Sequence, residues 1–253
     1  MDRLLEATAR AERDHFWFRG LRRFVTPLLD EAVGGRSNLT MLDCGCGTGH
    51  NLLLLRRAGK AFGIDITFSG LKYAASRGDR HVAQASAGTL PFAAARFDLV
   101  TSFDVIYSLP DDVERAAVSE MFRVLKPGGH LLLNVAAMPF LHGSHSVLSS
   151  EIRRYSRPGL RRLLENAGFE MRRITYTNFT TLPLTAAVRF AQRVTGGHRE
   201  SSAEITVPSA PVNALLTGVL ALEALALNAI DMPAGSSLLC LARKPRLWPE
   251  DGH

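Results

Sequence analysis

Met41-Leu42-Asp43-Cys44-Gly45-Cys46-Gly47-Thr48-Gly49 runs from an apolar strand pattern into a glycine-rich turn, and a helical pattern follows from Asn51. A turn between a first strand and a first helix is where an open α/β sheet holds a nucleotide-like ligand, and its glycines let backbone approach that ligand. The spacing is GxGxG followed by His50 and Asn51, not the GxGxxG that places a pyrophosphate on a helix amino terminus, so a nicotinamide dinucleotide is disfavoured. No Gly-Lys-Ser or Gly-Lys-Thr follows, which excludes a Walker loop. Asp43, at the loop entrance, suits a cationic amino group or a nearby water, and the bare backbone accommodates an amino-acid moiety.

Outward from this loop the chain alternates strand and helix patterns. Strands are expected at Leu39–Asp43, Ala61–Ile66, His81–Gln84, Phe97–Phe103, His130–Ala136 and Phe169–Tyr176, and helices at Arg19–Val33, Asn51–Ala58, Ser69–Ser76, Asp111–Val124 and Arg157–Asn166. Phe97–Phe103 is apolar on both faces, as in a buried parallel sheet. Pro27 reads as a kink or helix start, and Pro127-Gly128-Gly129 as a helix stop. The order predicts a doubly wound, Rossmann-like α/β fold: a seven-stranded, mostly parallel sheet with helices on both faces. The seventh strand, Ser237–Ala242, follows only after about sixty residues with two apolar helical patterns, near Leu184–Val194 and Val212–Ile230. One domain over 1–253 is therefore expected: an amino-terminal helical gate (1–36), a core (37–176 and 236–245) and a helical cap inserted between strands six and seven (177–235).

The 253 residues, 46% hydrophobic and 21% charged, argue against disorder. Three cysteines, Cys44 and Cys46 separated by one glycine, make neither a disulfide framework nor a structural zinc site, and a reducing compartment is expected. MDRLLEATARAERDH carries no apolar h-region, which predicts no secretory signal and a cytoplasmic location. The formal charge is +6 and nearly all of the base is arginine, scattered in pairs without a basic run, so solvated helix faces are expected and no nucleic-acid partner. Ala214–Ile230 is too short for a membrane span and carries Glu223 and Asn228, which favours a lid or buried helix. A peripheral membrane or lipophilic-substrate contact and a homodimer through this insertion are the other uses of such a segment.

Gly63-Ile64-Asp65-Ile66 closes the second strand, and Asp65 lies 22 residues after Asp43, where a carboxylate accepts both hydroxyls of a ribose. With LDCGCGTG, GIDI, SAGTLPF, FDLVTSFDVIYSL and LKPGGHLLLNV, the segment from Leu39 to Ala136 resembles the class I S-adenosylmethionine-dependent methyltransferases, specifically the type 11 group with the ubiquinone and menaquinone biosynthesis enzymes. The resemblance implies S-adenosylmethionine as cofactor, with Asp43, Gly45, Cys46 and Gly47 around its methionine part, Asp65 at the ribose, Ile66 over one adenine face and Phe103 beside the sulfur and ribose. Where the family usually carries an acid for the adenine amino group, this chain has Ser86 followed by Ala87, and a serine accepts one hydrogen bond there.

A substrate approaches over the carboxyl ends of strands four and five, which makes Asp104, Tyr107 and Asn134 candidate wall residues, with His142 and His145 in the following loop. His145 is the candidate general base, and Tyr107 a wall residue or proton donor or acceptor. The stretches His15–Arg23 and Ser144–Tyr155 look like a subgroup with an aromatic-arginine amino terminus. Trp17 and Arg19 are candidates for a gate, with a hydrophobic staple docking the first helix as the alternative. Arg153, Arg154 and Tyr155 are candidate contacts to an anionic substrate, with a solvated helix-flanking arginine pair as the alternative. Glu151 stands where that subgroup often has a second histidine, and no metal is expected. The reading is methyl transfer to a small apolar or aromatic molecule, at oxygen or carbon, in biosynthetic or secondary metabolism. A nucleic-acid or protein methyltransferase lacks its Asn-Pro-Pro-Tyr-type motif, with Ser102-Phe103-Asp104-Val105 in that place. A cofactor-binding protein of this fold with another activity, such as a cyclisation, is the remaining alternative.

Overall fold

The computed structural model describes residues 9, 11–141, 151–187 and 207–246. Thirteen elements carry the fold: α1 (Phe16–Val33), β1 (Leu39–Cys44), α2 (Leu52–Leu55), β2 (Gly59–Asp65), α3 (Phe68–Ser76), β3 (Val82–Gln84), β4 (Phe97–Phe103), α4 (Asp111–Val124), β5 (Leu125–Ala136), α5 (Arg157–Asn166), β6 (Glu170–Thr177), α6 (Ala210–Ala226) and β7 (Ser237–Arg243). The seven strands form one sheet in the order β3-β2-β1-β4-β5-β7-β6. β1 to β5 pair in parallel, whereas β7 inserts antiparallel between β5 and β6.

Both faces of the sheet are covered, so its central strands are buried on both sides. Leu131 and Leu133 of β5 join Val100, Met121 and Leu164 in one core, while Leu132 points to the other, with Met41, Leu99, Phe24 and Leu220. α1 starts three residues earlier than its apolar spacing indicates, because the His15 ring accepts from the Trp17 amide and caps the first turn. It also runs straight through Pro27, for Phe24, Val25, Leu28 and Leu29 bury one face on either side of it. Gly34, left-handed at φ 57°, ends it.

Two expected elements differ in extent. α2 spans only Leu52–Leu55, because Arg57 and Ala58 tighten onto Leu54 and Leu55 carbonyls and turn the chain into β2. β5 begins at Leu125, directly after α4, and Pro127-Gly128-Gly129 lies inside it. There the Gly128 amide donates to the Lys244 carbonyl and the Lys244 amide to the Gly129 carbonyl, so the residue just past β7 supplies the partners that hold this stretch, left-handed at Gly128, in the sheet.

Of the segment between β6 and β7, α6 docks on α1. Asn213 accepts from the Phe16 amide (2.8 Å) and donates to the Asp14 carbonyl (2.8 Å), while Leu220 lies so close to Gly20 that a Cβ there would meet it at 2.5 Å. Glu223 turns inward and accepts from the Phe179 and Thr180 amides. The opposite face is apolar and exposed, contrary to the expectation that such helices are covered: Leu215, Leu222 and Leu225 are 68%, 69% and 66% exposed. Of the helical pattern expected near Leu184–Val194, residues 188–194 lie outside the described residues.

Candidate functional site

The glycine loop is pinned from beneath and walled from the side. Gly45 and Cys46 amides both donate to the Ile64 carbonyl, at 2.8 Å each, which holds the loop over the end of β2. Gly45 sits at φ +82°, and a Cβ there would lie 2.2 Å from Val105 Cγ2, so neither the conformation nor the space admits a side chain. The Gly47 amide donates to Asp65 Oδ2 (2.8 Å), while Asp65 Oδ1 accepts from the Thr67 amide (2.8 Å) and hydroxyl. The second acid thus organises the first loop, a link that 18 residues of separation conceal.

Asp43 is 1% exposed. Its Oδ1 accepts from the Thr101 hydroxyl (2.6 Å), and its Oδ2 has no partner among the described residues. Burial pushes this carboxyl up to about 7; the Thr101 hydrogen bond opposes the shift and the charge of Asp65 adds to it. Cys46 is buried, and its thiol is pushed far up by burial, as is that of Cys44. Ile66, by contrast, is 65% exposed at the end of β2, an aliphatic surface with no cover among the described residues. Phe103 is buried in the core beside α1. Ser86 is exposed and accepts from the Gly88 amide (3.2 Å), closing its own turn, while Ala87 is buried against the core on the other face.

At the ends of β4 and β5, Asn134 donates to Asp104 Oδ1 (3.0 Å) and the Asp104 amide donates to the Asn134 carbonyl (2.9 Å). Asp104 adopts φ +61°, a left-handed conformation costly for a non-glycine residue, which aims its carboxylate at Asn134. Burial raises Asp104 to about 7, opposed by the Asn134 hydrogen bond and Arg154, and reinforced by Glu151. The buried Asn134 Oδ1 lacks a partner among the described residues. Tyr107 is pushed well above its ordinary range by burial and by Asp104 and Glu151, so it stays a neutral phenol at physiological pH. That removes it as a base and leaves it a hydrogen-bond donor.

Three expected substrate contacts are corrected. Arg154 forms a buried bidentate pair with Glu151 (2.6 and 3.1 Å) and donates to the Ala137 carbonyl (2.7 Å), so its charge is neutralised inside the fold. Arg153 reaches Asp111 (2.5 Å) and Glu114 (3.3 Å). Tyr155 is a core residue whose hydroxyl donates to Glu114 and whose backbone bridges β5 at Ala136 and Ala137. The strap 151–155 therefore ties the loop after β4 to the end of β5, with Ile152 and Arg153 amides on the Tyr107 carbonyl (3.0 and 3.2 Å). Trp17 is half-buried against the core and edge-on to Phe18. Arg19 is exposed and lines a cleft of about 300 Å³ with Arg22, Arg23, Thr26 and Leu54. His142 and His145 lie outside the described residues.

The sequence reading missed Glu12. Its buried carboxylate accepts from the Thr48 hydroxyl in the glycine loop, with Arg77 at 3.7 Å and His50 at 3.9 Å, and burial raises its pKa. No local pattern announces a contact across 36 residues.

The methyltransferase-domain family of type 11 matches residues 42–133. A Mycolicibacterium smegmatis protein named "probable S-adenosylmethionine-dependent methyltransferase" is 32% identical over 162 residues, covering 62% of this chain and 61% of that protein. The ubiquinone/menaquinone biosynthesis C-methyltransferase UbiE of Shewanella halifaxensis is 28% identical over 199 residues, covering 64% of this chain and 77% of its own. Among solved structures, phosphoethanolamine N-methyltransferase 2 of Haemonchus contortus in complex with S-adenosyl-L-methionine superposes with a TM-score of 0.61 at 19% identity, over 97% of this chain and 57% of that one, which shows a shared fold.

Proposed function

From the match of residues 42–133 to the type 11 methyltransferase domain, we propose that the protein transfers a methyl group from S-adenosylmethionine to a small apolar or aromatic acceptor, at oxygen or carbon. The observation that carries the cofactor side is the pair of acids at one loop: Asp43, buried with a free carboxylate oxygen, and Asp65, fastened to the Gly47 amide, with a glycine cradle between them that a Cβ at Gly45 would fill. These residues fit a ligand with a cationic amino group at one end and a ribose further along. Asp43 holds the ammonium, the Gly45–Gly47 backbone accommodates the amino-acid part, Asp65 accepts from the ribose, and Ile66 covers the adenine. When bound, S-adenosylmethionine supplies an electrophilic methyl group.

The chain's own contribution at the acceptor is orientation and proton removal. An acidic phenol or enol needs little more than proximity and alignment. Asp104, near 7 and fixed by Asn134, suits proton acceptance at neutral pH, because a base is most effective when its pKa lies close to the working pH. Tyr107 donates to the acceptor's oxygen in this scheme. The C-methyltransferase name of the Shewanella relative supports an aromatic or quinol-like acceptor.

Calorimetric titration tests the cofactor side: binding of S-adenosylhomocysteine with no binding of NAD is expected. Turnover against a panel of phenols, quinols and β-dicarbonyl enols tests the acceptor side, with Asp104→Asn losing kcat at unchanged cofactor affinity. Methyl transfer to RNA or protein substrates, with the small-molecule panel silent, would overturn the reading.

A further inference from the structure

We propose that the outer face of α6, together with the arginine-lined cleft of α1, is a docking surface for an anionic lipid bilayer. Between Val207 and Ile230 the only charged side chain is Glu223, and it turns inward to cap the backbone after β6. The outward line is left with Val212, Leu215, Leu222 and Leu225, all exposed. A helix apolar all round belongs in a core or against lipid, and this one is covered on one side only.

Charge on the neighbouring helix selects the occupant. α1 packs beside α6 through Gly20 and Leu220, and both helices share one core cluster. One turn apart on its exposed side stand Arg19 and Arg23, neither ion-paired among the described residues. With Arg22, Thr26 and Leu54 they line the 300 Å³ cleft, room for a phosphate group. Arg22 already donates to the Glu12 carbonyl and feels its carboxylate, whereas Arg19 and Arg23, four residues apart on one face, repel each other and are stabilised by an anion between them. Bilayer phosphates satisfy both features at once, the arginines at headgroup level and the leucines below it.

Other occupants fit less well. No described helix is long and apolar enough to cross a membrane, so the surface lies on the bilayer and does not span it. A second copy on the same face accounts for the exposed leucines but brings no anion from that face to Arg19 and Arg23, because its one charged side chain between Val207 and Ile230, Glu223, turns inward. Residues 188–206 lie outside the described residues and interleave three arginines and two glutamates with Val188, Phe190, Val194 and Ile205, and the melting temperature of the serine variant below tests them as a cover.

Sedimentation with phosphatidylcholine vesicles, with and without a minority of phosphatidylglycerol, tests this. Binding is expected only to the anionic vesicles and is expected to fall steeply as salt shortens the Debye length from roughly 10 Å to 3 Å. The pair Arg19→Glu and Arg23→Glu is expected to weaken it at least ~tenfold, since each basic residue near an anionic surface contributes roughly fivefold. The triple change Leu215→Ser, Leu222→Ser, Leu225→Ser is expected to abolish it while the melting temperature falls by no more than a few degrees, the loss of helix propensity being about 1 kcal/mol for three exposed positions. The proposal is overturned by failure to sediment with anionic vesicles or by equal binding to neutral ones. It is also overturned by a melting temperature in the serine variant that falls by roughly 10 °C or more, beyond what lost helix propensity costs, which means the chain covers its own face. A concentration-dependent dimer in light scattering, lost in that variant without vesicle binding, assigns the face to a second copy instead.

Discussion

Replacing Gly45 by alanine strains the glycine loop in two separable ways. At φ +82° an L-residue pays a conformational cost of about 1–2 kcal/mol. The new methyl also lands 2.2 Å from Val105 Cγ2 and 3.2 Å from Cγ1, where ordinary contact needs 3.4 Å or more, and forcing a group into packed space costs about 1–3 kcal/mol. The sum, about 2–5 kcal/mol, corresponds to a fall in Tm of roughly 5–15 °C for a domain of this size. Val105→Ala removes both Cγ atoms and leaves the Val105 Cβ at 3.3 Å, so the double variant recovers the steric part and retains the backbone part. Denaturant unfolding of wild type, both singles and the double closes the cycle, with an expected coupling of about 1–3 kcal/mol. S-adenosylhomocysteine affinity is expected to follow: in Gly45→Ala the displaced loop pulls the Gly47 amide off Asp65, and the double variant regains part of the loss. Additivity within about 0.5 kcal/mol would refute Val105 as the wall of this loop.

Asp43 near 7 in the fold, against 3.8 unfolded, means the native state binds the proton more tightly. Its contribution is therefore fully present below about pH 4 and is lost as pH rises to about 7, a span of about 4 kcal/mol that Asp43→Asn removes; an unchanged pH slope of the denaturant midpoint sinks the assignment. Asp65→Ala is expected to weaken S-adenosylhomocysteine by about 1.5–3 kcal/mol in calorimetry, and equal affinity takes Asp65 out of the site. Arg154→Ala takes its buried bidentate partner from Glu151 and is expected to cost about 3–5 kcal/mol in thermal unfolding, whereas Arg161→Ala, from an exposed pair with Glu165, changes stability by no more than about 0.5 kcal/mol. A chelator is expected to leave turnover intact, since among the described residues no three His, Cys, Asp or Glu side chains group to hold a metal; activity restored by added magnesium contradicts this.

The sheet was legible because each strand's apolar run reports its own burial: Phe97–Phe103 and Ser237–Arg243 stand out whatever surrounds them. Boundaries failed where tertiary partners decide them, as at Pro127-Gly128-Gly129, which is strand only because Lys244 lies alongside. Around the glycine loop, the strand-to-turn transition and the placing of Asp43 and Asp65 at the ends of β1 and β2 were readable from residue type and spacing. Arg153, Arg154 and Tyr155 were misread, because an arginine facing a ligand and one facing a buried glutamate are identical in sequence. Thr101 beneath Asp43 and Glu12 against Thr48 depend on strand register and chain return, and neither leaves a local signature.

The antiparallel β7 also sets a timetable for the ribosome's product. β6 ends at Thr177, yet the strand that joins it to β5 begins only at Ser237. At roughly 5–20 residues per second of synthesis, several seconds pass in which the β5 edge is open and β6 has no neighbour. During that interval the nascent chain presents unpaired backbone beside Leu131, Leu133 and Val135, the kind of edge that recruits foreign strands. Chaperone dependence of expression should therefore respond to codon changes between 178 and 236 more than to changes upstream, and a fragment stopping before Ser237 should aggregate rather than fold.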